Sequence, residues 1–316
     1  MRKSTGILLA SGMLVAVALS GCTSAGPSCE VEWQDGGVAG AVDVSGSLGG
    51  TLKTSFPLPL VQLGEATSTV VQAGDGPIAL PGSIVEGSVT IYDGATGEQL
   101  TGGGVFWSVD REEPRVVAAA KCLSPGTRVV TVGPASVVYG PSAAEGVDDA
   151  TIVSVLDITA VYPGRADGAD RLPVNGMPTI ALAPDGRPGF TFTNAPAPTD
   201  LVISVLKEGS GPEVQEGDTV VLQYTGVSWA KRTVFDTTWE KGVPAKLVAA
   251  DASTTSDGSG VVPGFAKALI GQRVGSQVLV AIPPGLGYPA GATGAPVADD
   301  DTMVFVFDVL GIQEGD

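Results

Sequence analysis

The side chains available for chemistry in this sequence exclude most acid–base mechanisms. The 316 residues contain no histidine, which rules out a Ser-His pair, a Cys-His pair and any metal site built on imidazole. Carboxylate chemistry and oxygen-ligated calcium remain, but the three aspartates at 299–301 are more typical of a solvated loop than of a metal site. We therefore expect no metal and no cofactor, and a reaction without proton transfer fits the sequence best.

A series of short motifs occupies the C-terminal third of the chain, between about residues 199 and 313. In chain order they are Leu206-Lys-Glu-Gly-Ser-Gly-Pro212, Glu216-Gly-Asp218, Gln223-Tyr-Thr-Gly226, Val234-Phe-Asp236, Val261-Val-Pro-Gly-Phe265, Ala268-Leu-Ile-Gly271, Val274-Gly-Ser-Gln277, Ile282-Pro-Pro284 and Gly287-Tyr288. Each motif alone carries little information. Together and in this order they resemble the FKBP-type peptidyl-prolyl cis-trans isomerases.

That resemblance implies an α+β fold in which a bent antiparallel β-sheet wraps around one short helix. Residues 263–269 are the natural helix, because proline suits a first helical turn and Gly271 suits the helix end. The active site of the family lies between the helix and the sheet.

The resemblance also implies a set of site residues, each carried over onto a matching position. Phe265 matches the pocket floor, Asp236 the aspartate beside the twisting amide, and Tyr288 the tyrosine that donates to a substrate carbonyl. The aromatic walls and the aliphatic lip match Tyr224, Phe235, Phe307, Val261 and Val262.

Such a pocket accelerates isomerisation without an acid, a base or a nucleophile. Resonance opposes rotation about the X-Pro bond by about 18–20 kcal/mol. A twisted amide has lost that resonance and is less polar, so an apolar, aromatic pocket favours it over the planar form, and binding energy acts on the transition state.

Three departures from the family pattern bear on the pocket. Phe265 stands where a tryptophan is usual, and Ala245 replaces a wall phenylalanine, which should open one side. The loop after Tyr288 reads Val-Ala-Asp-Asp-Asp at 297–301 instead of Ile-Pro-Pro. A polar loop there could weaken contacts to a substrate or to a rapamycin-like macrolide.

An internal repeat relates the two halves of the chain. Gly126-Thr127, Pro134 and Tyr139 follow one another at the same spacing as Gly275-Ser276, Pro283 and Tyr288. The segment 151–157 likewise matches 302–308, Gly74-Asp-Gly-Pro77 matches Gly209-Ser-Gly-Pro212, and Tyr92-Asp-Gly94 matches Tyr224-Thr-Gly226. Chance similarity between Val- and Gly-rich strands is the alternative. The repeat predicts two FKBP-like domains.

The first copy is predicted to be degenerate and inactive, serving as a spacer or a client-binding module. Val116 replaces Phe265, the Phe-Asp pair becomes Phe106-Trp107, and the Val-Pro-Gly segment is missing. Tyr92 and Tyr139 are kept.

The N-terminus is typical of a bacterial lipoprotein leader. Arg2 and Lys3 precede an apolar run that is short for a membrane span, and the run ends in Leu19-Ser20-Gly21-Cys22, which resembles a lipobox. Lipidation of Cys22 is expected to hold the chain at the outer face of the cytoplasmic membrane. Cys29 and Cys122 could then form a disulfide or remain free buried thiols, which spacing alone does not decide.

These observations predict five segments: a signal peptide at 1–21, a lipidated tether at 22–40, a degenerate FKBP-like domain at 41–162, a Pro/Gly-rich linker at 163–198 and an isomerase domain at 199–316. The net charge of −17 argues against a nucleic-acid partner. The predicted function is proline isomerisation that assists the folding of exported proteins, with proline-containing polypeptides as clients. The alternative is a catalytically weak lipoprotein that binds polypeptides as a chaperone or interaction module.

Overall fold

The computed structural model describes residues 29–144, 149–256, 258–292 and 296–313. The predicted signal peptide and the predicted lipidation site, Cys22, lie outside the described residues. Within the described ranges no helix is long and apolar enough to cross a membrane.

The N-terminal half is built mainly from β-strands. They are β1 (Gln34–Asp35), β2 (Asp43–Ser45), β3 (Lys53–Ser55), β4 (Thr67–Gln72), β5 (Ile84–Asp93), β6 (Gln99–Ser108), β7 (Arg128–Pro134) and β8 (Thr151–Tyr162), with the short helix α1 (Ala135–Val138). Three 3-10 segments, Gly37–Ala41, Arg115–Ala120 and Pro141–Ala144, complete it. Six strands form one sheet in the order β1-β4-β7-β8-β5-β6, and β2 pairs with β3.

The C-terminal half contains the second sheet. Its elements are β9 (Ala169–Asp170), β10 (Thr179–Leu182), β11 (Pro188–Thr191), β12 (Val202–Glu208), β13 (Thr219–Ser228), β14 (Val234–Thr237), β15 (Ala245–Val248), α2 (Pro263–Leu269), β16 (Gln277–Ile282), a 3-10 turn at Pro284–Leu286 and β17 (Met303–Ile312). The sheet order is β14-β13-β17-β16-β12-β9, and β15 also pairs with β13. The predicted α+β fold and the helix at 263–269 are confirmed.

Strand β17 shows why this sheet is so apolar in sequence. Successive strand side chains point to opposite faces. Phe305 and Phe307 pack on the face that carries α2, while Val304 and Val306 pack on the other face against Met177 and further residues of 163–198. Because both faces are covered, the strand is a continuous hydrophobic run instead of an alternating one.

The two halves are copies of one fold, as the repeat predicts. Strands β4-β7-β8-β5-β6 occupy the places of β12-β16-β17-β13 with β14 and β15. Even the irregularities correspond. The bulge between Glu86 and Gly87 in the pairing of β5 with β8 recurs between Val221 and Leu222 in the pairing of β13 with β17. Gly74 donates its N–H to Thr127 as Gly209 does to Ser276.

The structure corrects two of the predicted equivalences between the copies. Tyr224 lies opposite Phe307, and its place in the first copy is taken by Val89, opposite Leu156. Tyr92 lies three residues further along, so it points to the other face of the sheet and packs in a different cluster. Phe106-Trp107 pairs with Glu86 and Val85 and therefore corresponds to the β15 region, not to Phe235-Asp236.

The described part of the predicted tether is packed on the first domain. The side chain of Trp33 belongs to the core of that domain, and Gln34–Asp35 pairs in parallel with β4. Cys29 and Cys122 are joined by a disulfide across 93 residues. Closing a loop of this size stabilises a fold by roughly 4–5 kcal/mol in the chain-entropy account. Residues 29–40 are therefore part of the domain, because an apolar ring and a covalent bond hold them.

Residues 163–198 also differ from the expected linker. Strands β10 and β11 lie within it; they pair with each other and are not edges of the large sheet. Ile180, Phe190 and Phe192 pack on the outer face of that sheet beside Trp229. Apart from β9, which is the edge strand beside β12, the segment is a second layer over the C-terminal sheet, because its aromatic side chains bury against the strands.

Candidate active site

A cavity of about 1060 Å³ lies between α2, the sheet and the loop after β16. Seven of the eight predicted site residues line it: Tyr224, Phe235, Asp236, Val261, Val262, Phe265 and Tyr288. They come from two strands, the start of the helix and one loop, so only the folded chain brings them together.

Phe265 forms the floor of the cavity from the first turn of α2. Its ring is 3% exposed and its centroid lies 5.1 Å from that of Phe305 and 6.4 Å from that of Tyr224, both edge-on. Edge-to-face contacts of this kind are favourable for aromatic rings. The floor is therefore apolar and held by rings on two sides.

The structure differs from the prediction for Phe307. Its ring is 0% exposed and lies behind Phe265, with centroids 4.9 Å apart, so it supports the floor without lining the cavity. Phe305 lines the cavity instead, next to Phe235 at 5.5 Å. Residues two apart on a strand share a face. The sequence could therefore have identified both phenylalanines as candidates, but it could not show which of them lines the cavity. Leu247 is a second lining residue that the sequence analysis missed.

Asp236 is a charged group at the cavity wall. The Tyr224 hydroxyl donates a hydrogen bond to one carboxylate oxygen, and Lys241 Nζ lies 2.6 Å from the other. Partial burial acts to raise the pKa of Asp236, but the hydrogen bonds from Lys241 and Tyr224 outweigh it and hold the pKa below its usual value. Asp236 is therefore an anion at neutral pH.

The two tyrosines are neutral donors. Burial and the hydrogen bond to Asp236 raise the pKa of Tyr224, and burial followed by the charge of Asp236 raises that of Tyr288. The side chain of Tyr288 is 40% exposed at the rim, where a bound polypeptide can reach its hydroxyl. The site thus offers an apolar floor, a fixed anion and a rim donor.

The aspartates at 299–301 have a structural role in the loop that closes the cavity. The Asp301 carboxylate accepts hydrogen bonds from the Ser228 hydroxyl and, at 3.0 Å, from the Ala230 N–H. Asp299 accepts from the Gly291 N–H at 2.9 Å and reaches the cavity lining. The expectation that all three are merely solvated is wrong for Asp301, which is buried. Among the described residues no cluster of three potential metal ligands occurs.

The described residues of the first domain form no equivalent aromatic floor. Val116, the counterpart of Phe265, is buried in the 3-10 segment Arg115–Ala120. Nearby lies a smaller cavity of about 380 Å³ lined mainly by charged side chains, in which Glu32 is paired with Arg115 and Lys121. An apolar proline ring has no matching surface there.

Replacing Lys241 with methionine is expected to move the pH dependence of the site. Asp236 has a depressed pKa in the folded protein, so its charged interactions are present at neutral pH and are lost as the pH falls through that pKa. Removing Lys241 takes away the largest of the interactions that oppose burial, so the pKa of Asp236 rises. The fall in kcat/KM for a prolyl peptide should then occur at a higher pH than in the wild type. The profile is measured between pH 3 and 8, with the exposed Lys231→Met as control. Superimposable pH profiles for the wild type and Lys241→Met would contradict the role of Lys241 in lowering the pKa of Asp236.

Comparisons with known proteins show what this chain is similar to. Residues 211–310 match the family model for FKBP-type peptidyl-prolyl cis-trans isomerases. An FK506-binding protein from Streptomyces anulatus is 32% identical over 128 residues, which are 40% of this chain and 97% of that protein. The isomerase FkpA from Escherichia coli is 30% identical over 116 residues, 36% of this chain and 38% of FkpA. The crystal structure of the three FKBP domains of wheat FKBP73 aligns with a TM-score of 0.32 at 18% identity, covering 78% of this chain and 94% of that one.

Proposed function

The chain belongs to the FKBP-type peptidyl-prolyl cis-trans isomerases, and we propose that it isomerises X-Pro bonds in exported polypeptides at the membrane surface. The isomerase activity follows from the family. The cellular setting, the clients and the division of labour between the two domains are the parts that we propose.

The observation that carries the proposal is the cavity that joins Phe265, Asp236 and Tyr288. The apolar floor can receive a pyrrolidine ring, and the surrounding rings exclude water from it. A twisted amide is less polar than a planar one, so this environment favours the transition state over the ground state. Tyr288 at the rim can donate to a substrate carbonyl and so orient the peptide, and no proton needs to be transferred.

An extracytoplasmic setting is supported by two features of the chain. The first is the leader-like N-terminus ending at Cys22. The second is the bond between Cys29 and Cys122, since disulfides persist in oxidising compartments. A lipid on Cys22 would hold the enzyme where unfolded exported chains emerge, and isomerisation driven by binding energy alone requires no ATP.

We assign catalysis to the second domain and a non-catalytic role to the first. The charged cavity of the first domain suits neither a proline ring nor a macrolide. Macrolide binding at the second site is a further proposal, supported by the relative named FK506-binding protein and by the apolar floor.

A protease-coupled assay with Leu-Pro and Phe-Pro peptides tests the proposal. The purified protein should accelerate isomerisation, Asp236→Ala should lower kcat/KM by at least about tenfold, equivalent to about 1.4 kcal/mol, and the exposed Asp200→Ala should not. No acceleration by the folded protein, together with retained binding of an unfolded polypeptide, would favour the binding-protein alternative.

The lipid anchor is tested by measuring the intact mass of the protein isolated from the membrane fraction, with Cys22→Ser as the control.

A further inference from the structure

The two domains meet through corresponding parts of their sheets. Ile84 and Tyr162 of the first domain form one buried cluster with Val221 and Leu310 of the second. Gly311 lies beside the same bulge as Val221, and a Cβ on it would come within 2.5 Å of the Tyr162 ring. The second domain is thus shaped to receive the first, and apolar surface is removed from water between them.

Glu86 of the first domain is the polar centre of this contact. Its carboxylate accepts hydrogen bonds from Lys246 Nζ at 2.7 Å and from Gln313 Nε2 at 3.0 Å, both on the second domain. The Tyr162 hydroxyl donates to it at 3.1 Å. The side chains of Lys246 and Glu86 are 29% and 23% exposed, so water screens this ion pair less than a pair on the open surface.

Lys246 is held by a second group of the first domain as well. Its Nζ lies 4.4 Å from the ring centroid of Phe106, within the range of a cation–π interaction. The same side chain therefore has an anion and an aromatic ring as partners, both supplied by the first domain.

The strand that carries Lys246 also forms a wall of the active-site cavity. Strand β15 has four residues and, within the part of the chain that the structure describes, pairs with β13 alone. Neighbouring side chains on a strand point to opposite faces, so Lys246 contacts the first domain while Leu247 lines the cavity. A short strand with one pairing partner is poorly fixed by its own sheet, and the contact through Lys246 restrains it from the other face.

We infer that Glu86, assisted by Phe106, is a positioning residue for the isomerase site of the other domain. By holding Lys246 it fixes β15, and through β15 it fixes the Leu247 wall against which the substrate binds. The first domain therefore contributes to substrate affinity without touching the substrate. This inference rests on the proposed function, because it concerns the same cavity.

Kinetics of the full-length protein test the inference. Glu86→Ala should raise KM for Leu-Pro and Phe-Pro peptides by about three- to tenfold, the range expected for losing a partly buried ion pair and loosening the cation–π contact. The value of kcat should stay within about twofold. The matched control is Glu98→Ala, an exposed glutamate of the same domain. Glu86→Gln, which keeps the shape, serves if Glu86→Ala fails to fold.

The decisive comparison uses Leu247→Ala as background. If Glu86 acts through Leu247, the double variant Glu86→Ala/Leu247→Ala has the same KM as Leu247→Ala alone. A multiplicative effect of the two changes, or an unchanged KM in Glu86→Ala, overturns the inference.

A second readout separates this inference from the proposed function. The methyl resonances of Leu247 should shift in Glu86→Ala and not in Glu98→Ala, whether or not the protein is active. Unshifted methyl resonances refute the positioning role even if the wild type is an efficient isomerase. If the wild type is inactive but the Leu247 resonances shift in Glu86→Ala, the proposed function is refuted. The influence of Glu86 on the cavity wall is then still established.

Discussion

Replacing Phe265 with leucine lowers kcat/KM for a prolyl peptide by about tenfold, whereas the same replacement at Phe307 changes it by less than about twofold. Both rings are buried and lie 4.9 Å apart, but only Phe265 lines the cavity. Losing the ring at the floor removes contacts that the proline ring makes in the transition state, and tenfold corresponds to about 1.4 kcal/mol.

Phe307→Leu serves as the stability control for Phe265→Leu. Each change preserves most of the side-chain volume and should cost about 1–1.5 kcal/mol of unfolding free energy. Thermal unfolding should therefore show similar losses for both, while the protease-coupled assay separates them. An equal loss of activity at Phe307 would mean that its ring takes part in binding, as the resemblance alone implies, and would contradict its role as a support behind Phe265.

Replacing Arg128 with methionine lowers the unfolding free energy of the first domain by about 3–5 kcal/mol, the usual cost of leaving a buried charge unpaired. Arg128 and Asp157 are 3% and 1% exposed, and Nε lies 2.6 Å from the carboxylate. Arg128 also donates to the carbonyls of Gly46 and Ser47, and Asp157 accepts from the Gly49 N–H. The pair therefore holds the loop between β2 and β3 on the sheet.

The second domain provides the matched variant. Gln277 and Asp308 occupy the corresponding positions, with 2.8 Å between Nε2 and the carboxylate. Burial raises the pKa of Asp308 despite the hydrogen bonds from Ala166 and Gln277. Removing the uncharged Gln277 therefore leaves less buried charge without a partner. Gln277→Met should lower the unfolding free energy by only about 1–2 kcal/mol.

Urea unfolding followed by near-ultraviolet circular dichroism, with isomerase activity recorded in parallel, measures both variants. Two domains need not unfold in one step, so kcat at saturating substrate reports on the second domain while the spectrum reports on both. The double variant Arg128→Met/Asp157→Leu should recover most of the loss, because no buried charge then lacks a partner. Equal losses of unfolding free energy in Arg128→Met and Gln277→Met would contradict this prediction, because the charge of Arg128 would then contribute no more than the neutral amide of Gln277.

The order of residues along the chain was enough to specify the family, the α+β fold, the helix at Pro263–Leu269 and seven of the residues that line the cavity. These features are local. A proline at a helix start, a glycine at its end and an ordered series of motifs are readable along the chain without knowledge of distant contacts. The absence of histidine likewise limits the chemistry through composition alone, whatever the fold.

Features that depend on which strand face meets which neighbour became clear only from the folded chain. Phe305 and Phe307 share a face, and only the folded chain shows that Phe305 lines the cavity while Phe307 lies behind Phe265. The predicted match of Tyr92 with Tyr224 is wrong because a shift of three residues moves a side chain to the other face of a strand. Val- and Gly-rich strands contain few distinctive residues that would reveal such a shift. The layer formed by residues 163–198 and the contact from Glu86 to Lys246 join residues far apart in sequence. Such pairings arise when two apolar surfaces bury each other, and the periodicity of one segment does not record which surface covers it.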